Sequence, residues 1–407
     1  MALRIAHLSF SSSGGAGTVA TRLADIQRSM GHEATVISQI AGSLRDAPFT
    51  APLHTAAATA DQFLVKSASF DAPISLYRDR LSQQLDESLR GVDIIHLHWP
   101  HGLIDLDRLG EIAGSRPVVW TVHDMAAFTG VCHYSLGCER FTSGCAACPA
   151  VKGPFRGAVE RHLTEKATAL QGIHDLRVVS PSHWLAGEAS RSPLFEGKDI
   201  RVIQNPLALS DAGEHNPDQQ RASDPEGRDL ASTAEGGDTA REALTFVVLA
   251  ANLEDPLKGV EDAVEGFRRA FPTGQGATLE LVGRGERGAS IPGVVARGYQ
   301  SSSEVAKILE RADYLVVASR AENQPLAIAE AQAAGVSLIG REATGIPEHL
   351  EIDPEGALFD SVESLATVLG TVTPRSSTQR AQLAHRARVH YDPIAAAQSY
   401  ERVYSTG

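Results

Sequence analysis

Glu322-Asn323-Gln324-Pro325-Leu326-Ala327-Ile328-Ala329-Glu330-Ala331 is the stretch from which the fold can be read. Proline lacks the N–H that the first helical turn leaves unpaired, so Pro325 suits the start of a helix, and Gly335 suits its end. Within that helix Glu330 is the one charged residue among Leu326, Ala327, Ile328, Ala329, Ala331, Ala333 and Ala334. Leaving a carboxylate unpaired in so apolar a setting costs several kcal/mol, so it needs hydrogen-bond donors. Sugar hydroxyls would serve, and so would a buried Arg or Lys. Glu322 lies one turn earlier, outside the helix, where it can face a cleft. Because Pro325 has no N–H, an anion at this helix start would meet the amides of Leu326 and Ala327.

Working outward, short apolar runs alternate with helical periodicity on both sides of this helix. After it the spacing predicts a strand at 336–339. Before it come strands at 244–251, 278–282, 294–296 and 314–318 and helices at 260–270 and 303–311. The first half repeats the pattern. Strands are expected at 3–10, 34–40, 92–97, 117–123, 176–180 and 200–204, with helices at 18–30, 59–90, 105–114, 156–172 and 183–190. A final helix is expected over 394–404. Alternation of this kind implies a parallel sheet covered on both faces. Between the halves, Asp211 to Ala243 carries nine acids against three arginines and almost no large apolar side chain. Such a segment buries too little to offset its ordering entropy and reads as a solvated linker. The expected organisation is an N-terminal α/β domain (1–205), a linker (206–243), a second α/β domain (244–390) and a terminal helix (391–407). Ligands in doubly wound sheets sit beyond the carboxyl ends of the strands, so the chemistry belongs in a cleft between two lobes.

Composition narrows the function. The 407 residues carry a net charge of −13, which argues against nucleic acid as the main partner, since phosphate backbones need a basic face. No apolar run reaches the ~20 residues that span a bilayer, and the first residues do not read as a signal peptide, so a cytoplasmic protein is expected. All four cysteines fall between Cys132 and Cys148. Cys132, Cys138, Cys145 and Cys148 can complete a tetrahedral four-sulfur site, and in a reducing compartment a structural zinc is favoured over two disulfides. A closed four-sulfur shell has no open position, so no catalytic role is assigned to it; it would hold an insertion (130–150) beside His123.

Two further strand ends carry candidate chemistry. Ser13-Gly14-Gly15-Ala16-Gly17-Thr18 follows the first strand; glycines there let the backbone approach a phosphate at a helix N-terminus, although a plain tight turn uses the same residues. Lys258 precedes the helix at 260, where dipole and ammonium repel unless an anion binds, or unless the lysine is simply solvated. In Ile94-Ile95-His96-Leu97-His98-Trp99-Pro100-His101, positions 96 and 98 share a strand face. With no acid cluster nearby they read as cleft-lining residues rather than metal ligands.

Glu322, seven residues and Glu330 within ENQPLAIAEAQAAG resemble the signature of retaining family-four glycosyltransferases with the GT-B fold, two Rossmann-like doubly wound parallel-sheet domains. The resemblance extends to VHD at 122–124, SPSHWL at 180–185, QNP at 204–206, LKG at 257–259, LVGRG at 281–285 and ATGIPEHL at 343–350. The last helix resembles the segment that returns to the N-terminal lobe in this family, and the cysteine run resembles insertions in members that assemble cell-surface polysaccharides.

The resemblance implies hexosyl transfer from a nucleotide diphosphate sugar, UDP or GDP type, to a glycan, lipid-linked or small-molecule acceptor, without a catalytic metal. A lipid-linked acceptor would bring peripheral contact with the inner membrane face. Carried over by position, His123, Lys258 and Glu322 would be catalytic. Gly15, Gly17, Gly283, Arg284, Arg297, Asn323, Pro325, Leu326, Ala327 and Glu330 would bind the donor, and His98, Trp99 and Asp124 would face the acceptor. One departure stands out. The family's arginine five or six residues before the lysine is replaced here by Asn252 or Leu253, leaving Arg284 or Arg320 to substitute. Without a substitute, the alternative is a catalytically weak or silent sugar-nucleotide-binding scaffold.

Overall fold

The computed structural model describes residues 2–38, 66–75 except 68, 85–209 except 86, 102, 105 and the side chain of 107, and 243–406 except 289. Most of the helix expected over 59–90, and the acidic linker apart from its edges, lie outside these residues.

The first lobe is a six-stranded, all-parallel sheet of β1 (Arg4–Ser9), β2 (Glu33–Ile37), β3 (Ile94–Trp99), β4 (Val118–Thr121), β5 (Leu176–Ser180) and β6 (Ile200–Val202), in the order β2-β1-β3-β4-β5-β6. Helices α1 (Gly14–Ser29), α2 (Leu106–Ala113), α3 (Arg156–Gln171) and α4 (His183–Ser190) accompany it. The second lobe repeats the plan with β7 (Leu244–Asn252), β8 (Ala277–Arg284), β9 (Val294–Gly298), β10 (Tyr314–Val317), β11 (Ser337–Arg341) and β12 (Ala357–Phe359), in the order β12-β11-β10-β7-β8-β9. Its helices are α5 (Val260–Ala270), α6 (Ser302–Arg311), α7 (Leu326–Ala333), α8 (Val362–Thr371) and α9 (Ser377–His390). Central strands such as β3 and β4 are buried almost throughout, as parallel strands covered on both faces must be.

Strand order reverses between β1 and β3 in one lobe and between β7 and β10 in the other. Loops leaving these neighbours diverge and open a crevice at the carboxyl edge of each sheet. The last helix, α10 (Pro393–Ser405), lies not on the second lobe but on the first. There Tyr400, Val403 and Tyr404 pack with Ile5, Leu23, Ile94, Val119 and Val179.

Several elements differ from the sequence reading. Helix α1 starts at Gly14 rather than Thr18, and Pro325 takes the N-cap position of α7, one residue outside the helix. Strand β12 and helices α8 and α9 were not expected from periodicity. Helix α9 buries only Leu383, Ala384 and Ala387, too small a stripe to show. Its start is nevertheless written locally, because Ser376 and Gln379 form a reciprocal capping box. Among the described residues no helix is long and apolar enough to cross a membrane.

Gly259, between β7 and α5, packs against Ala318, the residue that follows β10. Its φ is +59°, and an added Cβ would lie 2.1 Å from the carbonyl oxygen of Ala318. Gly259→Ala should therefore destabilise the protein by about 2–3 kcal/mol in urea denaturation, and an unchanged midpoint would contradict this packing.

Candidate active site

Two helices aim uncapped N-termini into one interlobe cleft of about 310 Å³. Neither Ser13, N-cap of α1, nor Pro325, N-cap of α7, supplies a side-chain cap. The first-turn residues Gly15 and Ala16 line the cleft from one lobe, and Leu326 and Ala327 line it from the other. First-turn amides have no partner within their own helix and carry the positive end of its dipole, so this cleft favours an anion from both sides.

Lys258 enters the same space from a short helical turn, Pro256–Lys258, and its Nζ lies 2.5 Å from Glu322 Oε1. Burial works against the ammonium, but Glu322 and then Asp255 outweigh it and raise its pKa, so Lys258 remains a cation. Glu322 is pinned through its own backbone: its N–H donates to Thr344 Oγ1, and its carbonyl accepts from the Gly345 amide.

The next two residues grip the opposite lobe. Asn323 Oδ1 accepts from the Ser182 hydroxyl, and its Nδ2 donates to the His123 carbonyl at 3.1 Å. Gln324 accepts from the Asn205 amide and from Asn205 Nδ2. The Asn323 side chain thus ties the lobes together from a residue that lines the cleft. Glu330 pairs with Arg22 of α1 at 2.5 Å, one of the two kinds of partner weighed for it.

The remaining expected residues divide. His123 lines the cleft and also an adjoining hollow of about 240 Å³, whose walls include Ser9, Gly15, Trp99, Asp124 and Tyr134. Asp124 is fixed by His133, 2.6 Å away. Burial alone would raise the Asp124 pKa, but His133 brings it down to about 2. His98 is buried behind the wall and faces neither hollow. Gly17 and Gly283 serve packing: an added Cβ would lie 2.2 Å from Ser11 O and 1.8 Å from Ala250 O, respectively. Arg284 lies over the Tyr299 ring, and Arg297 pairs with Glu280 at 2.9 Å beside a separate surface hollow. Arg320 pairs with Asp71 at 3.1 Å. None of these three arginines lines the cleft, where Lys258 is the cation among the lining residues.

The cysteine expectation is not supported by the arrangement. Among the described residues, the one set of three His, Cys, Asp or Glu ligand atoms within 4.8 Å of one another is His7, His96 and His98. The four sulfurs are free, and burial pushes the Cys132 thiol up to about 12 and raises Cys145 and Cys148. Three of the four join the apolar core with Phe70, Phe141 and Val131.

Four residues at the site escaped the sequence reading. Tyr134, concealed in the cysteine run, lines both hollows, and its hydroxyl is hydrogen-bonded by the Asn323 backbone. Glu348 accepts from the amides of His183 and Trp184 across the lobes, capping α4. Arg22 and Gln27 lie on α1, where they read as ordinary polar residues of an amphipathic helix.

Comparison with known proteins agrees with this architecture. Residues 14–206 match the glycosyl transferase 4-like domain, and residues 245–372 match the glycosyl transferases group 1 domain. This chain belongs to the group 1 glycosyltransferases, with the GT-B fold. The putative colanic acid biosynthesis glycosyl transferase WcaC of Escherichia coli (strain K12) is 23% identical over 335 residues, covering 76% of this chain and 74% of that protein. The structure of WaaG, a glycosyltransferase involved in lipopolysaccharide biosynthesis, superposes with a TM-score of 0.61 at 14% identity, covering 99% of this chain and 100% of that one. Anabaena Alr3699/HepE in complex with UDP-glucose gives 0.58 at 15% identity, with 99% of each chain covered.

The buried histidines make this glycosyltransferase acid-sensitive. Burial lowers His7 and His123 from 6.5 to about 4 and His349 to about 3. Between these values the unfolded chain binds protons that the native chain refuses, so stability falls as pH drops from about 6.5 toward 4. Chemical denaturation across that window should show a progressive loss of several kcal/mol; a flat profile would contradict the burial of these rings.

Proposed function

We propose that this chain transfers a sugar from a nucleoside diphosphate donor to a hydroxyl of a growing cell-surface glycan, with retention at the anomeric carbon. The observation that carries the reading is the pair of uncapped helix N-termini facing Lys258 across one cleft. Negative charge develops on the leaving diphosphate as the glycosidic bond breaks, and donors already oriented toward it stabilise that charge without reorganisation. The amides of Gly15, Ala16, Leu326 and Ala327 and the Lys258 ammonium are such donors. As a diphosphate binds, Lys258 exchanges Glu322 for phosphate oxygens, and the released carboxylate accepts hydrogen bonds from hydroxyls of the transferred sugar. Glu330, held by Arg22, keeps a second oxygen for the ribose.

The neighbouring hollow supplies the acceptor side. Trp99 offers a ring face, and Ser9 Oγ is buried there without a partner. Its wall includes Gly15 and Ala16, the same residues assigned to the diphosphate. An acceptor hydroxyl placed there approaches on the face from which the leaving group departs, which supports retention. Its proton passes to the departing phosphate oxygen as the new glycosidic bond forms. The UDP-glucose complex of a protein of the same fold favours a uridine donor, and the colanic acid and lipopolysaccharide roles given to WcaC and WaaG favour a polysaccharide acceptor. Among the described residues Lys258 is the one cation that lines the cleft, and turnover should be slower than in a site with two.

A donor panel scored by nucleoside diphosphate release tests the reading. One UDP-sugar should be turned over, and its α-linked product, identified by NMR, should keep the donor's configuration; an inverted product would refute retention. Lys258→Ala should lower turnover by about 10²–10³-fold and weaken UDP binding, whereas equal affinity for UDP would remove the diphosphate role.

A further inference from the structure

Behind the cleft wall, imidazole, amide and hydroxyl groups form one continuous hydrogen-bonded chain. His123 Nε2 lies 3.1 Å from His98 Nδ1, His98 Nε2 lies 3.0 Å from His7 Nδ1, and His7 Nε2 lies 2.7 Å from Gln27 Oε1. Gln27 Nε2 donates to the Tyr404 hydroxyl at 2.9 Å, and that hydroxyl lies 2.8 Å from His96 Nδ1. His96 Nε2 is 2.8 Å from Thr121 Oγ1, which meets the Tyr400 hydroxyl at 2.9 Å. Every member except His123 is buried. The clustering of His7, His96 and His98 invites a metal reading, but each of their ring nitrogens is already engaged in one of these links.

The protons in such a chain are ordered. Burial keeps the four rings well below their ordinary pKa, so each is neutral and has one N–H and one bare nitrogen. Gln27 Oε1 can only accept, so His7 donates from Nε2 and accepts at Nδ1. His98 then donates from Nε2 and accepts at Nδ1, and His123 must donate from Nε2. That leaves His123 Nδ1 bare, on a residue that lines both hollows. If the Gln27 amide were turned over, every proton would move to the other side and His123 would present an N–H instead.

We propose that Gln27, with its Oε1 toward His7 and its Nε2 toward the Tyr404 hydroxyl of the terminal helix, sets the proton order of this chain, so that His123 offers its bare Nδ1 as an acceptor to a hydroxyl of the bound sugar. Gln27, His7, His98 and Tyr404 are thus positioning residues. The role of the acceptor nitrogen rests on the glycosyl-transfer reading; the proton order does not.

The test uses the free full-length protein labelled with ¹⁵N-histidine. Long-range ¹H–¹⁵N correlation at about pH 7 reports which nitrogen of each ring carries the proton, and His123→Asn assigns the His123 signals. Wild type should show His123 protonated at Nε2. Gln27→Leu, which removes the fixed acceptor, and Tyr404→Phe, which frees the amide to turn, should each introduce a population protonated at Nδ1. Sugar transfer should fall about tenfold in both, as expected for a mispositioned hydrogen bond. A wild-type His123 protonated at Nδ1 overturns the proposal, as does an unchanged His123 signal in folded Gln27→Leu or Tyr404→Phe. If wild type turns over no sugar donor, the transferase reading fails while the nitrogen spectra still decide the proton order.

Discussion

The structure depends most on a constraint spread over four consecutive residues. Glu322 binds Lys258 within its own lobe, Asn323 and Gln324 hydrogen-bond across to Ser182 and Asn205, and Pro325 starts the helix whose amides face the cleft. The Asn323 and Gln324 contacts can be met only if the two sheets stand at one separation and orientation. The segment therefore sets the width of the cleft as well as its chemistry. Arg22–Glu330 and the capping of α4 by Glu348 brace the same arrangement on either side.

Electrostatics explains why this geometry is tolerable without a ligand. Lys258 is paired with Glu322 and Glu330 with Arg22, so neither lobe presents an isolated buried charge to the other. Breaking such a pair by removing one member would strand its partner, which costs more than the pair itself contributes. In the proposed reaction a diphosphate would relieve that problem by taking over the lysine while the freed carboxylate met sugar hydroxyls. Ion pairs of this kind are interchangeable with ligand contacts.

Much of the fold was legible because parallel strands and their helices announce themselves locally. Helix 260–270 and strand 176–180 were placed to the residue, since Gly259 and the apolar run Leu176–Val179 mark their limits. Helix α9 was not, because alanine and one leucine bury too little surface to leave a period. At the site, motif position located Lys258, Glu322 and His123, but it could not show which partners saturate a side chain. The Asn323 side chain is bonded to Ser182, and that of Arg297 is paired with Glu280. Both partners lie far away in sequence or on a neighbouring strand, and side-chain competition of that kind leaves no local signal. The four cysteines have the spacing of a metal site, yet packing with Phe70 and Phe141 accounts for three of them.

The return of α10 to the first lobe also orders events during synthesis. Ile5, Leu23 and Ile94 find part of their packing in Tyr400, Val403 and Tyr404, nearly the whole chain later. The first lobe thus emerges from the ribosome first but cannot close one face of its sheet until the last helix has been made. The main core of the second lobe, drawn from residues between Leu244 and Leu369, can be complete by then. Domains usually fold in order of emergence; here the N-terminal one keeps apolar surface uncovered until α10 arrives.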